Sequence, residues 1–227
     1  MDAHRSRDFV QAEKEVTEAL GVLKRHGLNV TLPESVMNNI SASILFDGDD
    51  ALFKDLIKDT KVYFEYGCGK STEFVFRHTD ANIRAVDTSQ QWVHKTQSLT
   101  KKGGADRLTI TWIDVGEVGD WGRPISFSRR QNFKKYADHF WSEHREPDLV
   151  LIDGRFRVLC FLTAIKYAPL GTKILFDDYV NRPHYHVAEE YSRCLDVCGR
   201  QALFEVTAEA KEQMDEKLLL SFQNVIL

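Results

Sequence analysis

The 227 residues carry 30 basic and 34 acidic side chains, a formal net charge of −4, and 43% hydrophobic against 28% charged residues. That balance belongs to an ordinary soluble globular domain long enough to bury a full core. It excludes a basic nucleic-acid footprint, since the densest stretch, "SRRQNFKK" at 128–135, reads as a solvated face.

No apolar run reaches the roughly 18 residues that would span a bilayer. The polar start, "MDAHRSRDFVQAEKEV", lacks the apolar stretch of a secretory signal. Four cysteines without a C-x-x-C spacing fit reduced thiols, so a cytoplasmic protein is expected. Its expected partner is a small-molecule substrate, with no nucleic acid and no membrane.

In chain order, the first element is an amphipathic helix over 7–26. Val10, Val16, Ala19, Leu20 and Leu23 share its apolar face, and Gly27 ends it. A short helix follows in "GDDALFKDLIKD", beginning near Asp49 or Asp50. Residues 1–60 are therefore expected to form an N-terminal helical extension, free to cover a pocket or mediate a homodimer, ahead of a domain over 61–227.

From Val62 onward, strand and helix signals alternate. "KVYFEY", "NIRAVD", "RLTITWID", "PDLVLIDG" and "TKILFDD" predict five strands. "STEFVFRHT", "SQQWVHKTQSLTKK", "RVLCFLTAIKYA" and a segment from about His184 to Cys198 predict the helices between or after them. Short apolar strands alternating with helices imply a doubly wound, mostly parallel α/β sheet. "ALFEVTA" and "KLLLSFQNVIL" predict two more strands, too close together for a parallel crossover, so the seven-stranded sheet is expected to finish antiparallel. The connection 115–147 is long enough to be functional or to hold its own helix, which "NFKKYADHFWSEH" would supply.

The turn after the first strand, "VYFEYGCGKST" at 62–72, carries the chemistry. Two glycines between a strand and a helix let a ligand approach the backbone and a helix N-terminus. A phosphate-binding P-loop needs G-x-x-x-x-G-K-[ST], which G-C-G-K-S-T does not match. A nicotinamide fingerprint needs a third glycine where Thr72 stands.

Glu65-Tyr66-Gly67-Cys68-Gly69 resembles the E/D-x-G-x-G motif of the class I S-adenosylmethionine-dependent methyltransferases, a Rossmann-like family. The resemblance spans about Val62 to Leu227 and implies S-adenosylmethionine as cofactor. Gly67 and Gly69 would let its methionine portion lie on the backbone, Glu65 would organise the ammonium end, and Cys68 and Ser71 complete the turn. Asp87, closing the second strand, would bind the ribose hydroxyls with Thr88 beside it. Asp114 and Val115, closing the third, would meet the adenine, although Asp114 also reads as a turn aspartate. The antiparallel ending matches these methyltransferases and not the nicotinamide domains. An NAD(P)-dependent oxidoreductase and a non-catalytic nucleoside-binding module are the alternatives.

Asp153 in "LVLIDGRFR" and Asp177 with Asp178 in "ILFDDY" are expected to converge at the strand ends. Like charges there need a proton, a basic neighbour such as Arg155, Arg157 or Arg182, or a cation. The set resembles the catechol-type O-methyltransferases, which implies Mg2+ on Asp153, Asp177 and Asp178, with Asp178 departing from that family's asparagine. An aspartate–arginine network is the competing reading. "GDWGRP", "DGRFRV" and "FDDY" resemble a bacterial methyltransferase-like group. The implied reaction is methyl transfer to an oxygen of a small hydroxylated molecule or glycan precursor, with Asp153 (also a cofactor contact) or His184 as base. A histidine at such a position is more often a surface or capping residue than a catalytic one, and His184 reads so first. Trp121, Arg123, Phe140 and Trp141 would form a lid or pack the long connection, with packing favoured for Trp141.

Overall fold

The computed structural model describes residues 45–46, 49–100, 105–142 and 146–226. The amphipathic helix expected over 7–26 lies outside them. Phe46–Leu227 forms one compact unit. The short helix α1 (Ala51–Leu56) belongs to it, because Phe53 is buried edge-on against Tyr63 of the first strand. Among the described residues no helix is long and apolar enough to cross a membrane.

Seven strands form one sheet: β1 (Val62–Tyr66), β2 (Asn82–Asp87), β3 (Leu108–Trp112), β4 (Leu149–Ile152), β5 (Lys173–Phe176), β6 (Asp196–Cys198) and β7 (Gln201–Glu205). Their order is β3-β2-β1-β4-β5-β7-β6. β1 to β5 are parallel, and β7 runs antiparallel to both β5 and β6. The chain winds outward from β1 in one direction and from β4 in the other, so the carboxyl ends of these two neighbours mark the switch point where α/β sheets hold ligands.

β4 is buried along its whole length, and α5 (Arg157–Tyr167) is buried from Arg157 to Ile165, as expected of a sheet covered on both faces. α2 (Lys70–His78) and α3 (Gln90–Thr100) connect β1 to β2 and β2 to β3. The long connection contains the expected helix, α4 (Phe133–Asp138), and that half is core. Phe133, Tyr136 and Ala137 are fully buried, with the Phe133 ring 4.6 Å from that of Phe156. Phe140 is buried beside Phe64, and Trp141 donates its indole N–H to the Tyr66 hydroxyl at 2.9 Å. Both are packing residues.

The carboxyl-terminal third departs from expectation in two places. The helix expected from His184 to Cys198 is a 3-10 segment, Pro183–Glu190, and Cys198 lies in β6. The strand expected over "KLLLSFQNVIL" is helical: α6 (Ala208–Glu212) is followed by α7 (Glu216–Phe222). Thr207 and Asp215 cap these helices by accepting the N–H groups of Ala210 and Leu218 at 3.2 and 2.7 Å. A short apolar run does not by itself distinguish strand from helix, and here caps and one buried residue, Leu219, decide it. The antiparallel strand is "ALFE" within β7, joined to β6 through Gly199, whose φ is +58°.

Two backbones nearly touch at the switch point. Gly67 turns the chain after β1 at φ +93°, and a Cβ there would lie 2.8 Å from Gly154 Cα. A Cβ on Gly154 would lie 2.8 Å from Gly67 N and collide with the Tyr136 hydroxyl. Gly154→Ala should therefore destabilise the fold by about 1–3 kcal/mol through overpacking, read as a lower denaturation midpoint at unchanged slope.

Candidate functional site

The glycine bend is held from below by its acidic residue. Glu65 is fully buried. It accepts hydrogen bonds from the Ser71 hydroxyl and, at 2.6 Å, from the Thr72 hydroxyl. Thr72 Oγ1 also accepts the Gly69 N–H at 2.9 Å. Glu65 thus ties the end of β1 to the first turn of α2, and Ser71 faces inward with it. Thr72, which sequence reasoning saw only as a missing glycine, bridges carboxyl and bend. A hydroxyl residue three places after Gly69 was the available signal.

A Cβ on Gly69 would meet nothing within 4 Å, so the protein leaves room beside the N-terminus of the nine-residue α2. Cys68 contributes its backbone: its N–H donates to Asp87 Oδ2 at 2.9 Å, while its side chain belongs to the core with Ala85, Val93 and Ile110.

Burial pushes the Glu65 carboxyl up to about 7, against the pull of its hydroxyl donors. The folded chain holds this proton more tightly than an unfolded one with the ordinary value of 4.5. Stability linked to Glu65 is therefore full below the ordinary value and is lost as the pH rises through the folded one. Glu65→Gln should remove that dependence, gaining about 3 kcal/mol on the wild type across the window, as read by denaturant titrations at several pH values.

Asp87, at the end of β2, is 9% exposed. Besides Cys68 it accepts the Ser89 N–H on Oδ1 at 2.6 Å. Burial raises its carboxyl, and these two N–H donors oppose the shift. Each oxygen keeps acceptor capacity beyond its one backbone donor. Thr88 is closed off by the first half of the long connection: its hydroxyl donates to Gly122 O at 2.7 Å, and Trp112 Nε1 donates to Thr88 O at 3.0 Å. Trp121, with φ +57° and 76% exposed, stacks on Trp92 of α3 at 6.4 Å. Asp114 accepts the Gly116 N–H at 2.9 Å and faces Arg129 at 3.7 Å, in keeping with a turn aspartate, and Val115 is fully buried.

The three strand-end aspartates do converge, with one oxygen of each within 4.8 Å of the others. Arginines occupy them. Arg157 bonds Asp153 at 3.1 Å and Asp178 at 3.2 Å, and Arg182 bonds Asp178 at 2.7 Å. Arg200 takes Asp177 at 2.8 Å and Asp178 at 3.0 Å. Gln201 adds a donor to Asp177 at 3.2 Å. Three guanidiniums thus offset three carboxylates, and the donor set does not fit the expected Mg2+, whose oxygen ligands would first have to be freed from arginine.

Arg200, on the β6–β7 hairpin, was not legible as a partner because it lies 23 positions from Asp177. Arg155, expected among the compensating residues, stands outside the network. Burial and the Asp177 charge push Asp153 well above the usual carboxylate range, while Arg157 opposes them. His184 is exposed on the turn after β5, its ring 4.3 Å from that of Tyr185. Partial burial, then Arg182 and Arg157, pull its pKa down, which favours the neutral ring. Replacing Arg200 with leucine should cost about 3–5 kcal/mol by stranding the Asp177 charge, and adding Asp177→Asn should restore much of it in the same unfolding assay.

The sheet order, the reversed β7 and the glycine bend at the switch point define a Rossmann-like α/β domain of the kind found in a methyltransferase-like protein of known structure. Among solved structures the chain is similar to a methyltransferase-like protein from Silicibacter pomeroyi, at 27% identity over 86% of this chain and 96% of that one, with a TM-score of 0.65. More distant likenesses are the N-methyltransferase NodS of Bradyrhizobium japonicum (12% identity, 70% and 89% of the two chains, TM-score 0.44) and an RNA methyltransferase of Salinibacter ruber (16%, 82% and 100%, 0.40). Both of those proteins were solved with S-adenosylhomocysteine. No protein-family model matches the chain, and no protein of curated function does.

Proposed function

We propose that the chain transfers a methyl group from S-adenosylmethionine to an oxygen of a small hydroxylated molecule or glycan precursor. The observation that carries this reading is the bend itself: Gly67 packed on Gly154, room beside Gly69, and Asp87 oriented by two backbone N–H groups at the neighbouring strand end. When bound, the cofactor supplies an electrophilic methyl group.

The chain's part is to bind, align and exclude water. Gly67, Cys68 and Gly69 present backbone to the amino-acid tail, while Glu65 and Ser71 hold that backbone in shape from beneath. Asp87 accepts from the ribose hydroxyls beside Thr88, and Asp114 and Val115 flank the adenine. His184, with a neutral ring favoured, and Asp153, in its ionised form, are the proton acceptors proposed for an oxygen nucleophile. The four free cysteines support a reducing, cytoplasmic setting.

The antiparallel β7 and the bridging Thr72 both weigh against a nicotinamide domain. Calorimetry discriminates. S-adenosylhomocysteine should bind and nicotinamide cofactors should not. Asp87→Ala should weaken binding by about 1–3 kcal/mol for a lost charged hydrogen bond. Binding of a nicotinamide cofactor without S-adenosylhomocysteine would overturn the reading. A bound nucleoside with no methyl transfer to any hydroxylated acceptor would favour the non-catalytic module.

A further inference from the structure

Beyond the three balanced pairs at the strand ends, one guanidinium is left over. Arg155 follows Gly154 in the loop between β4 and α5. It forms no ion pair and no side-chain hydrogen bond with any described residue, and its Nε is closed to solvent without a partner. Its neighbours are already engaged. Asp153 and Asp178 are taken by Arg157, which also donates to the carbonyls of Asp153, Gly154 and Asp177. Both oxygens of Asp87 are held by backbone N–H groups.

Burial, and then the charge of Arg157, pull the Arg155 pKa down, while Tyr136, Tyr185 and Asp153 work the other way. A guanidinium withdrawn from water without a hydrogen-bonding counter-charge is costly, and a ligand anion would remove that cost. After partial burial, Arg182 and Arg157 both lower the His184 pKa on this side of the rim.

We propose that Arg155 binds an oxyanion, a carboxylate or phosphate, on the methyl acceptor. The substrate is then an anionic hydroxylated molecule; this rests on the methyltransferase reading above. The assignment goes to the acceptor because Arg155 follows Gly154 on the β4 side of the Gly67–Gly154 contact, within electrostatic reach of Asp153 and Tyr185 as well as of Asp87, where acceptor and cofactor would meet. The cofactor's own carboxylate has the N-terminus of α2 on the β1 side, beside Gly69. Arg157 is less suited, since each of its three guanidinium nitrogens already donates within the protein.

The test is thermal melting of the full chain, saturated with S-adenosylhomocysteine, titrated with inorganic phosphate and separately with acetate at constant ionic strength. Wild type should show a saturable rise in Tm with at least one of the two anions. Arg155→Met should weaken that response about ten-fold or more, as expected for a lost charge-assisted hydrogen bond, with its calorimetric affinity for S-adenosylhomocysteine nearly unchanged. Arg155→Lys, which keeps the charge, should retain part of the response and covers the case in which the methionine variant does not fold.

No response in wild type, or equal responses in wild type and Arg155→Met, would overturn the proposal. So would a variant that loses affinity for S-adenosylhomocysteine but not for 5′-methylthioadenosine, which would hand Arg155 to the cofactor's tail. If wild type fails to bind S-adenosylhomocysteine at all, the methyltransferase reading falls; the anion titration of the ligand-free chain still tells whether Arg155 holds an oxyanion.

Discussion

Two glycines set the geometry of this molecule. Gly67 and Gly154 bring the loops after β1 and β4 to within van der Waals distance of each other's backbone, with the Tyr136 hydroxyl pressed against the second of them. Everything at the crest of the sheet is measured from that contact. It places Glu65 beneath the first turn of α2, directs the Cys68 N–H to Asp87, and lets the chain after Asp153 turn directly into α5. A side chain at either position would separate the loops and with them the groups expected to grip the two ends of one ligand.

Around the contact, buried acids are stabilised in three different ways, and the differences separate scaffold from site. Glu65 is paired with hydroxyls, which soften its burial without adding charge, so its proton is held up to about neutrality. Asp87 is paired with backbone N–H groups, which orient it while leaving lone pairs to spare. Asp153, Asp177 and Asp178 are paired with guanidiniums, and little acceptor capacity remains for a cation. The same local chemistry, a carboxylate near a strand end, thus serves as a strut, an oriented acceptor and a charge-balanced wall. Among the described guanidiniums at the ends of β4 and β5, Arg155 is the one left without such a pair.

The long β3–β4 connection has two jobs. Its second half, through α4, is ordinary core, with the aromatic rings of Phe133, Tyr136 and Phe140 filling the space over β1 and β4. Its first half reaches back to the end of β2, where Gly122 accepts from Thr88 and Trp121 stands exposed on Trp92. Gly122 has no tolerance for a side chain there, since a Cβ would strike the Thr88 hydroxyl.

What the sequence by itself determined was the local grammar: five parallel strands and the helices α2, α3, α4 and α5 in the expected places, the glycine bend, Asp87 closing β2, and an antiparallel strand near the end. These follow from periodicity and from glycine's freedom at a turn, which a short window of residues carries. The tertiary structure alone decided the rest. "KLLLSFQNVIL" became a helix because Asp215 caps it and Leu219 finds the core. Glu65 proved to face inward because Ser71 and Thr72, a helical turn away, meet it. The aspartates found arginines because the β6–β7 hairpin, paired beside β5, delivers Arg200 to them. A charge's partner is a matter of distance in space, and no spacing along the chain encodes it.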